Sequence, residues 1–430
     1  GSKFIVILVI STMVDYAIGL LISRSTNLSQ RRLWMFISII FNLSLLSYFK
    51  YANFFIAELN KTLFYFGFSP ISWSSVILPI GISFFTFHKI SYVVDIYRGT
   101  SRPFTNFIDF ALYINMFQQL IAGPIIRFHE ICDQIRNRKE TFECFYQGIL
   151  RFCLGLVKKV IIANNCGEIA DTIFGTNAVL LDTPTAWLGV LAYSFQIYFD
   201  FSAYSDMAIG LGLMFGFRLP ENFDRPYSSI SITDFWRRWH ISLSNFLRDY
   251  LYIPVGGNRK SKARTYLNLL VVFILCGLWH GANWTFLVWG MYHGALLILE
   301  RLTGFRELEE NSYIFLRRMI TFLLVTVGWV IFRATNLSQA IDFLSIMFIP
   351  KFHPTPLEVN VVLNGRNLIL FLIASLQIFL PREFSGARLV YKQRGPMITA
   401  AVTGVLMLMV LYSVTFIASG SYNPFLYFQF

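Results

Sequence analysis

Runs of apolar residues long enough to cross a lipid bilayer recur along this chain, and no other feature limits its fold as strongly. Residues 4–22 read FIVILVISTMVDYAIGLLI, and comparable stretches occupy 33–57, 72–94, 106–122, 148–164, 186–201, 203–217, 266–280, 283–299, 316–332, 366–380 and 397–418. A helix of about 20 residues spans a hydrocarbon core roughly 30 Å thick. The runs are continuous rather than alternating, which implies helices and not a β-barrel. Two or three are too short or too polar to span. The expectation is therefore an all-α polytopic integral membrane protein with about ten or eleven transmembrane helices. Composition agrees: 55% of residues are hydrophobic and 14% charged, where a soluble domain carries about 25% charged residues.

No internal repeat or detachable soluble domain is visible, so 1–430 reads as one membrane domain. The chain opens on Gly-Ser without a starting Met, which reads as an appended scar with an earlier segment missing. The net charge of +12 lies mostly between the apolar runs. That is the pattern of cytoplasmic loops facing anionic lipid, and no basic domain is present to bind nucleic acid. The five cysteines show no CxxC pairing and no partnered histidines, so neither a zinc site nor a disulfide framework is indicated.

Three basic loops stand out, at 127–151, 218–264 and 382–394, and the second holds nine Lys/Arg against four Asp/Glu. Within it, SITDFWRRWHISLSNFLRDYLYI keeps Phe235, Trp236, Trp239, Leu243, Phe246 and Tyr250 at three- and four-residue steps. This spacing predicts one amphipathic helix lying in or dipping through the membrane interface. Ser231 and Asp234 resemble a capping box at its start. His240 borders the apolar stripe, where a surface imidazole at headgroup level and a functional one are both open readings.

The run 266–299 is too long for one straight crossing, since 34 residues reach about 50 Å. Gly277, Gly281 and Asn283 mark the expected break. His280 then sits beside that break at membrane depth, where an ionisable group is costly unless it is used or bonded. An imidazole bonded on both nitrogens to neighbouring helices is the bland alternative; a neutral one suits general-base work. His293 reads as structural, and His88, His129 and His353 receive no role. A further polar cluster, YFDFSAYSDMAIG (198–210), interrupts two apolar runs with Asp200, Tyr204 and Asp206. It either lines a water-filled cavity or joins helices. ENFDRPYSS (221–229) and QLIAGPIIRF (119–128) read equally as turns or as phosphate contacts. There is no GxSxG, GxxxxGK[ST] or HExxH motif.

Taken together, FDFSAYSDMAIG, ENFDRPYSS, DFWRRWHISLSNFLRDYLYIPVGGNRK and CGLWHGANWTFLVWGMYHG resemble the membrane-bound O-acyltransferase superfamily, and within it the bacterial alginate O-acetyltransferase branch. Ala203 stands where the FSGYSD pattern usually has glycine, and the first span usual in the family is absent. The resemblance implies amphipathic and re-entrant helices around a central reaction chamber. It implies that an acyl group, acetyl above all, arrives on a cytoplasmic thioester, acetyl-CoA or an acyl carrier protein, and leaves on a hydroxyl across the membrane. No bound cofactor or metal is expected. His280 matches the superfamily's catalytic histidine and His240 its second position. Trp236, Arg237, Arg238, Trp279, Asn283, Trp284, Tyr204 and Asp206 are assigned to the substrate and donor channel. Arg237, Arg238, Arg259 and Lys260 would dock a phosphorylated donor, and Trp279 and Trp284 would exclude water. An extracytoplasmic acetyltransferase partner and a polysaccharide acceptor follow from the same resemblance, as does a multi-pass place in the bacterial cytoplasmic membrane. A lipid, peptidoglycan or teichoic acid acceptor is the nearer rival. A transporter is the more distant one, and it should show inverted repeats.

Overall fold

A computed structural model describes residues 2–120, 123–305, 313–379 and 395–420, and among these there are helices and loops but no strand. The third basic loop, 382–394, and the aromatic tail at 425–430 lie outside the described residues. The chain divides into two compact units, Gly1–Lys139 with Gly281–Asn283, and Glu140–His280 with Trp284–Phe430.

The first unit holds α1 (Ser2–Arg24), α2 (Leu28–Tyr65), α3 (Ile82–Arg98), α4 (Phe107–Asn115) and α5 (Phe128–Asn137). The apolar run expected at 72–94 is not one helix. Residues 68–79 form no regular secondary structure, and the helix begins only after Pro79 and Gly81, whose φ of +77° suits glycine. Two asparagines of α2 hold this stretch: Asn60 pairs with both backbone groups of Ile71, and Asn53 does the same for Val76. Each amide side chain thereby satisfies both backbone groups of a residue that lies outside any helix. The run at 106–122 also breaks, at Met116. In the second of the Pro/Arg motifs, Gly123 takes a φ of +105° and Arg127 pairs with Glu130.

The second unit holds α6 (Phe142–Val157), α7 (Asn164–Gly175), α8 (Thr183–Met214), α9 (Ile232–Arg238), α10 (Ile241–Leu247), α11 (Lys262–His280), α12 (Trp284–Leu302), α13 (Ile314–Arg333), α14 (Leu337–Phe348), α15 (Gly365–Phe379) and α16 (Pro396–Ala418). A turn of wider helix, Lys158–Ala163, joins α6 to α7 without interruption. The two apolar runs at 186–201 and 203–217 fuse into α8, whose 32 residues reach about 48 Å. α6 and α8 cross with backbones nearly touching. A methyl added to Gly148 would sit 2.6 Å from the Gly210 carbonyl, and one added to Gly155 would sit 2.6 Å from that of Ala203. Small residues seven apart on both helices build this seam, as close helix crossings in lipid require. Ala203, the departure from the family pattern, therefore lies at the crossing itself.

Close approach lets short-range charge pairs form across the same seam. Arg151 donates from Nε to Asp206 at 2.8 Å, Lys158 pairs with Asp206 at 2.7 Å, and Lys159 with Asp200 at 2.6 Å. Both acids are buried. The polar cluster at 198–210 thus joins helices through these two acids.

Five described helices are long and apolar enough to cross a membrane: 4–24, 28–65, 262–280, 314–333 and 396–418. Two shorter apolar helices lie at 337–348 and 365–376. Expected crossings such as α6 and α8 instead carry buried charges that meet one another inside the protein.

Candidate active site

The 266–299 run breaks where glycine and asparagine predicted. α11 ends at His280 and α12 starts at Trp284. The two helices fold back in direct backbone contact, because Gly277 faces the Phe286 carbonyl and Gly290 faces that of Phe273. His280 is half-buried in a ring of aromatic side chains. Its imidazole meets Trp279 at 4.9 Å, Trp289 at 5.3 Å and Phe332 at 5.2 Å between ring centres, all roughly edge to face. Trp279 is buried, whereas Trp284 is 46% exposed. Trp289, at 1% exposure, rather than Trp284, closes over the imidazole with Trp279.

The basic segment departs from the single amphipathic helix that its periodicity predicts. α9 starts as expected, with the Ser231 hydroxyl accepting from the Asp234 N–H at 3.0 Å; Asp234 in turn accepts from the N–H of Ile230 rather than of Ser231. Glu300 of α12 adds a second carboxylate at this N-terminus, accepting from the Thr233 N–H at 2.9 Å. The helix then stops at Arg238. His240 has φ +43° and ψ +55°, a left-handed conformation unusual for a residue with a side chain, and α10 resumes from it. The kink turns the imidazole inward: His240 is 1% exposed, not a surface group at headgroup level. It packs edge-on against Phe201 at 4.7 Å and lies 6.1 Å from Trp279. One indole, Trp279, therefore contacts both histidines singled out in the sequence.

The kink is held by ENFDRPYSS. Asn222 accepts the Ile241 N–H at its backbone carbonyl, and Asp224 donates its N–H to the Arg238 carbonyl. The Asn222 side-chain oxygen meets His240 Nδ1 at 3.1 Å, the Ser242 N–H at 3.2 Å and the Ser242 hydroxyl at 2.9 Å. Further along, the Tyr227 hydroxyl donates to the Ser194 carbonyl and accepts from Trp329 Nε1. Sequence reasoning left this motif open between a turn and a phosphate contact; here it is the brace of the His240 kink. Burial pushes the His240 imidazole down to about 3, so it is neutral at physiological pH.

A cavity of about 330 Å³ lies beside this segment. Trp236 and Arg237 line it together with Arg248 and Arg301, while Leu243, Leu269, Val272, Phe273 and Cys276 supply an apolar wall. Arg238 is directed elsewhere, to Asp234 at 2.8 Å and Ser228 at 3.3 Å. Asp206 is engaged by Arg151 and Lys158. Tyr204 and Asn283 are half-buried, and Arg259 and Lys260 are exposed. His293 is buried between Trp236 and Trp289, with centroid separations of 5.2 and 4.9 Å.

Residues 102–337 match the membrane-bound O-acyltransferase family. The chain is 45% identical over 446 residues to the probable alginate O-acetylase AlgI of Pseudomonas putida, covering 97% of this chain and 89% of that protein. Its identity to the probable alginate O-acetylase AlgI of Pseudomonas aeruginosa is 42% over 476 residues, with 97% and 90% covered. To the peptidoglycan O-acetyltransferase of Helicobacter pylori it is 39% over 380 residues, with 80% and 70% covered.

Proposed function

The chain belongs to the membrane-bound O-acyltransferase family, and from that premise we propose that it O-acetylates an extracytoplasmic polysaccharide of the alginate type from a cytoplasmic thioester. It is a multi-pass membrane O-acyltransferase; the bacterial cytoplasmic membrane is the proposed location. The observation that carries the reading is the convergence of His280 and His240 on Trp279 at the end of a broken, apolar helix.

In this reading His280 accepts the proton of the acceptor hydroxyl as its oxygen attacks the thioester carbonyl. The tetrahedral adduct collapses, the C–S bond breaks, and the proton passes to the departing thiolate. Trp279, Trp289 and Phe332 keep bulk water from the acyl group, which limits hydrolysis. His240, which also contacts Trp279, supports that step. The cavity beside α9 suits the donor, because Arg237 and Arg301 offer cations to phosphate, Arg248 being paired with Asp249, and the apolar wall accommodates an uncharged arm. Acetyl-CoA and an acyl carrier protein share that phosphorylated arm. In this proposal the acetyl group then reaches the polymer through an extracytoplasmic acetyltransferase partner.

The test is expression in an alginate-producing host whose own alginate O-acetylase gene is deleted. Restored O-acetyl on exported polymer by the wild-type chain, and none by His280→Ala at equal membrane abundance, is the expected result. Acetyl recovered in the lipid fraction alone, or restoration by His280→Ala, would overturn the reading.

A further inference from the structure

We propose that Asn222 is a positioning residue that fixes His240 in the Nδ1–H tautomer, so that Nε2 presents a lone pair and His240 acts only as a hydrogen-bond or proton acceptor. The inference rests on the acyltransferase reading for its function but on geometry for its substance.

The amide orientation of Asn222 is set by a group that can only donate. The Ser242 backbone N–H points at the Asn222 side-chain position 3.2 Å away, so that atom must be the oxygen. The same oxygen lies 3.1 Å from His240 Nδ1. Were Nδ1 bare, two lone pairs would face each other at hydrogen-bond distance, so Nδ1 carries the proton. In a neutral imidazole the other nitrogen is then the acceptor. His240 Nε2 is buried and has no hydrogen-bond partner among the described residues. A lone pair left without a donor at 1% exposure costs free energy unless a reactant fills it. The left-handed backbone of His240 points the same way, since such strain persists where surrounding structure imposes it.

The brace is itself anchored. Glu221, the residue before Asn222, receives both Arg151 Nη groups at 3.0 and 2.7 Å, and Arg151 is fixed by Asp206, which Lys158 also grips. Arg238, next along α9, is engaged by Asp234. These charged groups on the elements around His240 are thus paired with one another, and His280 shares the Trp279 contact with His240. A role for His240 in polarising the thioester carbonyl would need an N–H at Nε2, which this tautomer lacks.

Nitrogen NMR of the isotope-labelled wild-type protein in lipid bilayers reads the tautomer directly, with the His240 signals assigned by their loss in His240→Gln. Protonated Nδ1 and bare Nε2 are expected; a proton on Nε2 would overturn the proposal whether or not any variant folds. Transfer from radiolabelled acetyl-CoA, or an acetylated acyl carrier protein, in membranes of the same host gives the functional readout. Asn222→Ala should lower kcat roughly 10²- to 10⁴-fold with KM for the thioester unchanged, as loss of a tautomer-fixing partner does elsewhere. Asn222→Asp keeps the oxygen and adds a negative charge that favours imidazolium. It should retain turnover and shift the acid limb of the kcat/KM profile to higher pH. An unmoved limb in Asn222→Asp, or wild-type kcat in Asn222→Ala, would count against it. Silence of the wild-type protein with both donors would strike instead at the acyltransferase reading, and the NMR result would still decide on Asn222.

Discussion

Gly277→Ala should damage the reaction without touching a reacting group. The added methyl would lie 2.1 Å from the Phe286 carbonyl oxygen and 3.3 Å from Gly290 Cα, both backbone atoms that cannot rotate away. Ordinary contact at such an atom begins near 3.4 Å, so α11 and α12 must part by roughly 1 Å at the crossing. His280 follows three residues later, within one helical turn, and carries that displacement against Trp289 and Phe332. Overpacking of this kind costs about 1–3 kcal/mol of stability. A misplacement of about 1 Å in the reacting geometry costs on the order of 10²-fold in rate. The assay pairs acetyl transfer with thermal melting of purified Gly277→Ala, beside Gly404→Ala on α16, where an added methyl meets nothing within 4 Å. The control should melt no lower than wild type, since alanine favours helix over glycine by about 1 kcal/mol. A Gly277→Ala protein with wild-type rate and melting would refute the argument that this crossing positions His280.

Three further outcomes follow from other parts of the molecule. Arg151→Met takes the guanidinium from Asp206, which Lys158 still holds, and from the half-exposed Glu221, so it should cost about 1.5–3 kcal/mol; unchanged melting would show that the seam does not need it. His240 is held neutral to about 3 when folded but titrates near 6.5 when unfolded, so the unfolded state binds more protons between those values and stability falls as pH falls through that window. His240→Phe should flatten the drop in melting temperature over that window, and an equally steep drop would contradict the burial. Cysteines placed at the exposed Asn258 and Ser261, in a background lacking the native five, should resist a membrane-impermeant thiol reagent in intact cells; strong labelling would reverse the cytoplasmic orientation of the basic segment.

How much was legible in the sequence depended on the range of the forces involved. The break between α11 and α12 was readable because glycine, asparagine and excess length are local signals. The α9 start was readable for the same reason, through Ser231. The kink at His240 was not, because the residues around it keep helical spacing and histidine is not a left-handed former. A backbone carbonyl and an amide 18 residues earlier impose it, and Asn222 gives no local sign of that partnership. Asp206 was visible as an anomaly, yet its partners Arg151 and Lys158 lie 55 and 48 residues away, which left helix joining and cavity lining equally open. Trp289 escaped notice since nothing in GLWHGANWTFLVW distinguishes the tryptophan that closes over His280 from the one that faces outward.

The charged seam between α6 and α8 also governs how the protein is made. Arg151, Lys158 and Lys159 are translated before Asp200 and Asp206, and each such charge costs about 2.5–3.5 kcal/mol when a lone helix enters the hydrocarbon at its centre. Arg151 of α6 and the two lysines of the wider turn after it are therefore made before the acids they pair with. The acids of α8 pair with these cations, and its Ala203 and Gly210 admit the backbone of α6. The cations before α7 and the acids of α8 are therefore most cheaply buried together, and each set is costly to place in the hydrocarbon without the other.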